Sequence, residues 1–390
     1  MKMARIGFIG AGNFISAFHL LTVRDCPFMK IAAVADLDEA KLRKHSDRMP
    51  IGYTTTDYRR LLDDPDIDIV IIGTKQDLHA KLIVESLDAG KWVLCEKPMA
   101  ETIEETKAVL AAEKRAKGKL AIGFNRRFAP AYREAKRIMS AAPRPWFMHY
   151  RLMWPSAESK GPGSFYWNHE HILYEGSHIL DLANWMLDSA PSKVYMTGER
   201  MKNNCCILSY PDGSQVTFMT GGLGTYCLWK EYMELFAAFR TITVSDFIDM
   251  RVRGVEGEFD RLHGTYMGEH AADVKKYGFD FFEAYHTARV MEGAENWRKL
   301  GMTMESVRRP LTVPFDVTTF KHENPDCWSF IPNKGWKQAV EHFANCFLNG
   351  ETPGNADGRA GALSTQIALD LLRSLDSGQA VDMTPVDSVV

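Results

Sequence analysis

The feature that most constrains this chain is a short apolar run, Ile6-Gly7-Phe8-Ile9, that passes directly into Gly10-Ala11-Gly12 and then into a helix-like segment over residues 13–23. A strand reads as continuously apolar when both faces of its sheet are covered, as crossover helices cover a parallel sheet. A Gly-x-Gly turn between such a strand and a helix brings backbone N–H groups close to an anionic ligand. Glycine at 10 permits the tight turn, and glycine at 12 lets a pyrophosphate reach the backbone. The helix N-terminus adds free N–H groups and a favourable dipole. Ile15 stands where the third glycine of the pattern is usual, a position that mainly tunes helix–strand packing. The loop Gly10-Ala11-Gly12-Asn13-Phe14-Ile15 is therefore read as cofactor-binding.

Asp36 closes the second strand candidate. An acidic side chain there accepts hydrogen bonds from the adenosine ribose and repels a 2′-phosphate, which favours NAD over NADP. Asp36 is also placed to cap the following helix, a role open equally to Asp38.

Short apolar runs at 5–9, 31–35, 69–72, 92–95 and 120–123 alternate with amphipathic stretches at 13–23, 37–48, 57–62, 78–89 and 103–116. This is the pattern of a parallel sheet with helical crossovers. The texture then changes. A helix-like stretch at 129–140 precedes alternating segments at 193–197, 206–210 and 215–220, which suggest antiparallel strands. A polar region at about 251–313 holds one helix candidate, 281–300, and the tail holds two more, 336–348 and 358–375. The expected organisation is a dinucleotide-binding domain over 1–124 and a second α/β domain over 125–390. The C-terminal helices are free to pack back towards the first domain.

Composition narrows the partners. A formal net charge of -3 over 390 residues argues against nucleic acid or an anionic membrane, both of which select a basic face. No apolar run approaches the ~18 residues of a membrane span, and nothing resembles a secretory leader. The seven cysteines form no Cys-x-x-Cys pair, which fits a reducing compartment and a cytoplasmic protein. His169, Glu170 and His171 lack a third ligand at metal spacing, so no metal is expected.

Two further segments bring a family into view. Glu96-Lys97-Pro98 follows the strand candidate at 92–95, and Glu175-Gly176-Ser177-His178-Ile179-Leu180-Asp181 comes later. With the glycine loop they resemble the Gfo/Idh/MocA oxidoreductases, named for glucose-fructose oxidoreductase and inositol dehydrogenase. Thr74 and His79 resemble the ends of that family's TPxxxH segment. Asn125-Arg126-Arg127-Phe128 resembles its NRRF segment, with Arg126 open to cofactor contact or to pairing at the domain junction. The resemblance implies an N-terminal Rossmann domain and a C-terminal α+β domain with a large, mainly antiparallel open sheet, through which a homodimer or homotetramer forms. It also implies an enzyme oxidising or reducing a secondary alcohol of a sugar, glycoside or cyclitol.

Hydride transfer from a carbinol to NAD⁺ needs a proton acceptor and a group that steadies the developing alkoxide. Lys97, at the carboxyl end of a sheet strand, is the candidate for the second role, and Glu96 is grouped with it at the cofactor. His178 is the candidate acid/base, and Asp181, three residues on, shares its helix face. Many relatives carry Asp four residues before this His. Here that position is Tyr174, and Glu175 follows it, so either is open to serve the substrate. Trp154, Trp167 and His171 complete the expected substrate contacts. Two other readings stay open. One is an NAD-dependent glycosidase that works through transient ring oxidation and elimination. The other is a non-catalytic NAD(H)-binding regulator.

Overall fold

The computed structural model describes residues 2–153, 170–200, 202–222, 230–263 and 333–383. They fall into two compact units. One is drawn from Met1–Phe128 and Gly335–Ile367, the other from Ala129–Lys334 and Ala368–Met383.

The first unit is built on six parallel strands: β1 (Ala4–Ile9), β2 (Met29–Ala35), β3 (Tyr53–Thr55), β4 (Ile69–Ile72), β5 (Trp92–Cys95) and β6 (Leu120–Ile122). Their order, β3-β2-β1-β4-β5-β6, is doubly wound, with its switch point between β1 and β4. Both faces are covered. Ile6, Phe8, Ile69, Ile71 and Leu94 pack on one side with Val340, Phe343 and Ala344 of the helix Trp336–Asn349. Ile9, Val70, Ile72, Val93 and Cys95 pack on the other with Leu82 and Ile83 of the helix His79–Asp88. Side chains alternate faces along a strand, so two apolar faces produce the unbroken apolar runs seen in the sequence. Each such fully buried aliphatic side chain contributes about 1.5–3 kcal/mol relative to exposure.

The crossover helices carry their own start and stop signals. Thr102 caps Ile103–Ala116, with Glu105 reaching back to complete a capping box, and Lys117 ends the helix in the left-handed region at φ 58°. Asp38 caps Glu39–Ser46 by accepting from Ala40 N and Lys41 N. The capping role that the sequence left open thus falls to Asp38, and Asp36 is not needed for it.

Glu113, on the helix Ile103–Ala116, accepts the backbone N–H of Gly358 at 3.1 Å, at the start of the helix Gly358–Ser377. Burial pushes its carboxyl up to about 7 from an ordinary 4.5, with the Gly358 bond pulling the other way. Between those pH values the folded chain holds a proton that the unfolded chain has released, so stability falls as pH rises through this window. Glu113→Gln keeps an acceptor for Gly358 but cannot ionise. Its unfolding free energy, measured by denaturant titration from pH 4.5 to above 7, should lose this slope and exceed that of the parent at the alkaline end by on the order of 1–2 kcal/mol.

The second unit is built on nine strands: β7 (Phe147–Met153), β8 (Lys193–Glu199), β9 (Asn203–Ser209), β10 (Gln215–Gly221), β11 (Glu231–Ala237), β12 (Arg240–Ser245), β13 (Asp249–Arg253), β14 (Arg261–Leu262) and β15 (Val381–Asp382). They form one sheet in the order β14-β13-β12-β11-β7-β10-β9-β8-β15. Only β7 and β10 pair in parallel; the other neighbours are antiparallel. One face is apolar and buried, with Tyr150, Leu152, Phe218, Met233, Leu235 and Val244. The other carries half-buried polar residues and the exposed Phe147, Ile207, Met219 and Phe236. The architecture is thus a parallel Rossmann-type sheet plus a large, mostly antiparallel one. Among the described residues no helix is long and apolar enough to cross a membrane. Trp154, Trp167 and the helix expected at 281–300 lie outside the described residues.

Candidate active site

The cofactor loop sits at the carboxyl end of β1, beside the switch point of the first sheet. Gly10 has φ 93°, in the left-handed region, and a Cβ there would meet the Gly73 carbonyl oxygen at 2.6 Å. Its N–H donates to Ala35 O at 2.8 Å, which ties the turn to the end of β2. At Gly12 a Cβ would meet nothing nearer than Gly73 O at 4.0 Å, so its backbone stands in open space. A diphosphate can approach it there.

The missing third glycine is compensated across the loop. The side chain of Ile15, buried, occupies the space where a Cβ on Gly73 would stand. Helix–strand packing is kept close by removing the side chain from the strand end rather than from the helix. Ser16 donates to Gly12 O at 2.8 Å, and its Oγ lies 3.0 Å from His45 Nε2. Burial holds the His45 imidazole below its ordinary pKa. Asn13 is exposed at the loop. Phe14 packs edge-on against Trp336 at 5.4 Å and against the His19 ring at 5.2 Å.

Asp36 Oδ2 accepts the N–H of Ala11 at 2.8 Å, and Oδ1 accepts that of Asp38 at 2.9 Å. The carboxylate is therefore fixed beside the glycine loop, with lone pairs remaining for ribose hydroxyls. An ordered loop, an open Gly12 and a carboxylate anchored at the end of β2 fit a dinucleotide lacking a 2′-phosphate.

On the other side of β1 the ends of β4 and β5 meet. Thr74 follows β4 and is half-buried. His79 is fully buried, and its Nδ1 donates to Pro98 O at 2.8 Å, with burial lowering its pKa. His79 thus holds the Lys97-Pro98 turn, whose peptide is cis. Lys97 is half-buried at the end of β5. Glu96, beside it, is buried and bonds His19 Nε2 at 2.7 Å. Arg126 lies buried in the short helical turn Asn125–Phe128.

A second cluster belongs to the second unit. Gly176 separates the helix His171–Tyr174 from Ser177–Leu187; a Cβ on it would press on Ile172 O at 2.5 Å. His178 and Asp181 are both buried, one turn apart on Ser177–Leu187. Tyr174 is buried, while Glu175 accepts from Lys230 Nζ at 3.2 Å. His171, expected at the substrate, bonds Thr220 Oγ1 of β10 through Nδ1 at 2.9 Å. Sequence reasoning missed Lys230, Thr220, His19 and His45. Each is an isolated polar residue far along the chain from its partner, and no local spacing marks it.

Residues 4–124 match a family model described as "Oxidoreductase family, NAD-binding Rossmann fold", the Gfo/Idh/MocA family. Over these residues the chain is similar to the NAD-binding domain of that family. Among curated proteins, the uncharacterized oxidoreductase YrbE of Bacillus subtilis is 33% identical over 208 residues, 52% of this chain and 59% of the relative. The scyllo-inositol 2-dehydrogenase (NAD(+)) of the same organism is 27% identical over 303 residues, covering 75% of this chain and 82% of that one. The chain spans little more than half the length of the first of these relatives. The solved structure of myo-inositol 2-dehydrogenase from Lactobacillus plantarum superposes with a TM-score of 0.71 at 18% identity, over 98% of this chain and 100% of that one. At that identity the likeness establishes a shared fold. The glycine loop, Asp36 and the β4–β5 ends all lie within the matched residues 4–124.

Proposed function

We propose that this chain is an NAD-dependent oxidoreductase that exchanges hydride with a secondary alcohol of a sugar, glycoside or inositol. The observation that carries the reading is Lys97, fixed at the carboxyl end of β5 in the same sheet whose β1 loop is shaped for a diphosphate. Ligands of doubly wound sheets bind outside the carboxyl ends of the strands at the switch point. NAD⁺, when bound, supplies the hydride acceptor. Gly10, Gly12 and Asp36 hold and orient it. Lys97 donates to the carbinol oxygen as negative charge develops there, and His178 takes the hydroxyl proton. Asp181 and Glu175 bind neighbouring hydroxyls, with Lys230 setting the position of the Glu175 carboxylate. Tyr174, Trp154, Trp167 and His171 complete the proposed substrate set, and Thr74, His79 and Arg126 the cofactor set.

The inositol dehydrogenases among the relatives favour a polyhydroxylated ring as substrate. The exposed Phe147, Ile207, Met219 and Phe236 support a homo-oligomer formed through this face of the second sheet. The five described cysteines, all unbridged, support a cytoplasmic setting.

The test is a screen of inositols, sugars and aryl glycosides with NAD⁺ and with NADP⁺, following NADH and released aglycone together. Net NADH from a ring polyol, with NAD⁺ preferred by at least about tenfold, is the expected result. Aglycone release without net NADH would instead establish redox-assisted glycoside cleavage. Tight NAD(H) binding with no turnover of any compound would favour a regulator.

A further inference from the structure

Glu96 is grouped with Lys97 at the cofactor, but its buried partner His19 has no role in the steps above. His19 is 2% exposed and Glu96 9%, and their side chains meet at 2.7 Å across 77 positions of sequence. Three features indicate that this contact is built. The turn Ile15–His19 is a π-turn, closed by the Leu20 N–H on Ile15 O, one residue wider than an α-turn. One residue amounts to about 100° of rotation around a helix, so the wider turn decides which way His19 points. On the other side, a Cβ on Gly123 would stand 2.9 Å from both Glu96 carboxylate oxygens, so position 123 leaves room for the carboxylate where it lies. Finally, His19 Nδ1 is buried with no hydrogen-bond partner among the described residues, which calls for an explanation because most buried polar atoms are paired.

The topology gives the pair its place. Asp36 ends β2 on one side of β1 and marks the adenosine half of the cofactor. Glu96 follows β5 on the other side, the half that receives the nicotinamide nucleotide. The second Glu96 oxygen lies 3.4 Å from the Lys97 N–H. We propose that His19 is a positioning residue for the nicotinamide half of the site: it orients the Glu96 carboxylate, which in turn steadies the peptide that carries Lys97. Glu96 then acts as the link between the helix after the glycine loop and the end of β5. This inference rests on the proposed NAD-dependent reaction.

The test compares His19→Ala and His19→Gln with the parent for affinity to NADH and to ADP-ribose, which lacks the nicotinamide. The parent's best polyol from the screen supplies kcat and KM. His19→Ala should keep ADP-ribose affinity within about twofold, weaken NADH about tenfold and lower kcat about tenfold, with KM for the polyol little changed. His19→Gln, whose amide N–H can donate to Glu96, should recover most of both losses. Should His19→Ala fail to fold, the double variant His19→Leu with Glu96→Gln takes its place, with the same expected losses. It removes the donor and the buried charge together. Equal weakening of NADH and ADP-ribose, no change in either, or no recovery in His19→Gln would overturn the inference. Parent protein that binds no NADH would overturn the proposed function and the inference with it. Parent turnover with unaffected variants would overturn the inference alone.

Discussion

Lys97→Ala should lower kcat by about a thousandfold while leaving NAD⁺ affinity within about threefold, because removing one donor from a developing oxyanion commonly has an effect of that size. The split follows from where the groups lie. The features fitted to the diphosphate and the adenosine ribose, namely the Gly10–Gly12 turn and Asp36, follow β1 and β2. Lys97 follows β5, held by a turn that His79 fastens through Pro98 O. Stopped-flow NADH formation for kcat and calorimetric titration of NAD⁺ for affinity separate the two quantities. Surviving turnover in Lys97→Ala would remove Lys97 from the chemistry. A parallel loss of NAD⁺ binding would make it a cofactor anchor instead.

The two loop glycines should fail in different ways when changed to alanine. Gly10 combines φ 93° with a Cβ position 2.6 Å from Gly73 O, so Gly10→Ala strains the backbone and collides with another backbone segment. Backbone strain and overpacking of about 1–3 kcal/mol each predict a loss of about 2–6 kcal/mol in stability, with NAD⁺ binding lost alongside. Gly12 has no positive φ and no close neighbour. Gly12→Ala should therefore melt within about 2 °C of the parent, since a methyl added with no close neighbour and no backbone strain changes stability little. Its methyl would instead stand where the diphosphate approaches, and NAD⁺ affinity should fall at least about a hundredfold, near 3 kcal/mol. Thermal melts with and without NAD⁺ read both effects. Equal destabilisation by the two substitutions would contradict this account of the loop.

Much of the first unit was legible because two covered faces leave a plain trace. Val70, Ile71 and Ile72 alternate between the two cores, yet all three are apolar, and only a sheet buried on both sides requires that. The strand Tyr53–Thr55 left no such trace: it is a three-residue edge strand with half-buried side chains. The π-turn at Ile15–His19 was hidden because one wider turn barely disturbs an amphipathic pattern over ten residues. The compensation of Ile15 by Gly73, and the bond from His19 to Glu96, join positions that only the sheet brings together. In the second unit the strand periodicity located β8, β9 and β10. Nothing local could reveal that β7 pairs in parallel with β10, placing Phe147 opposite Gln215 and His149 opposite Thr217, 68 positions further along the chain. The helix Ser177–Leu187 was legible as a motif, with His178 and Asp181 one turn apart. The partners of Glu175 and His171 were not, since Lys230 and Thr220 come from distant strands.

The central claim is hydride transfer from a carbinol carbon, and one isotope measurement tests it most directly. The best polyol from the screen, deuterated at its carbinol carbons, is incubated with the protein and NAD⁺, and the recovered NADH is weighed by mass spectrometry. One deuterium per NADH, with the polyol oxidised in equal amount, is the expected result. NADH without label, or a cleaved glycoside with NAD⁺ returned unchanged, would contradict it.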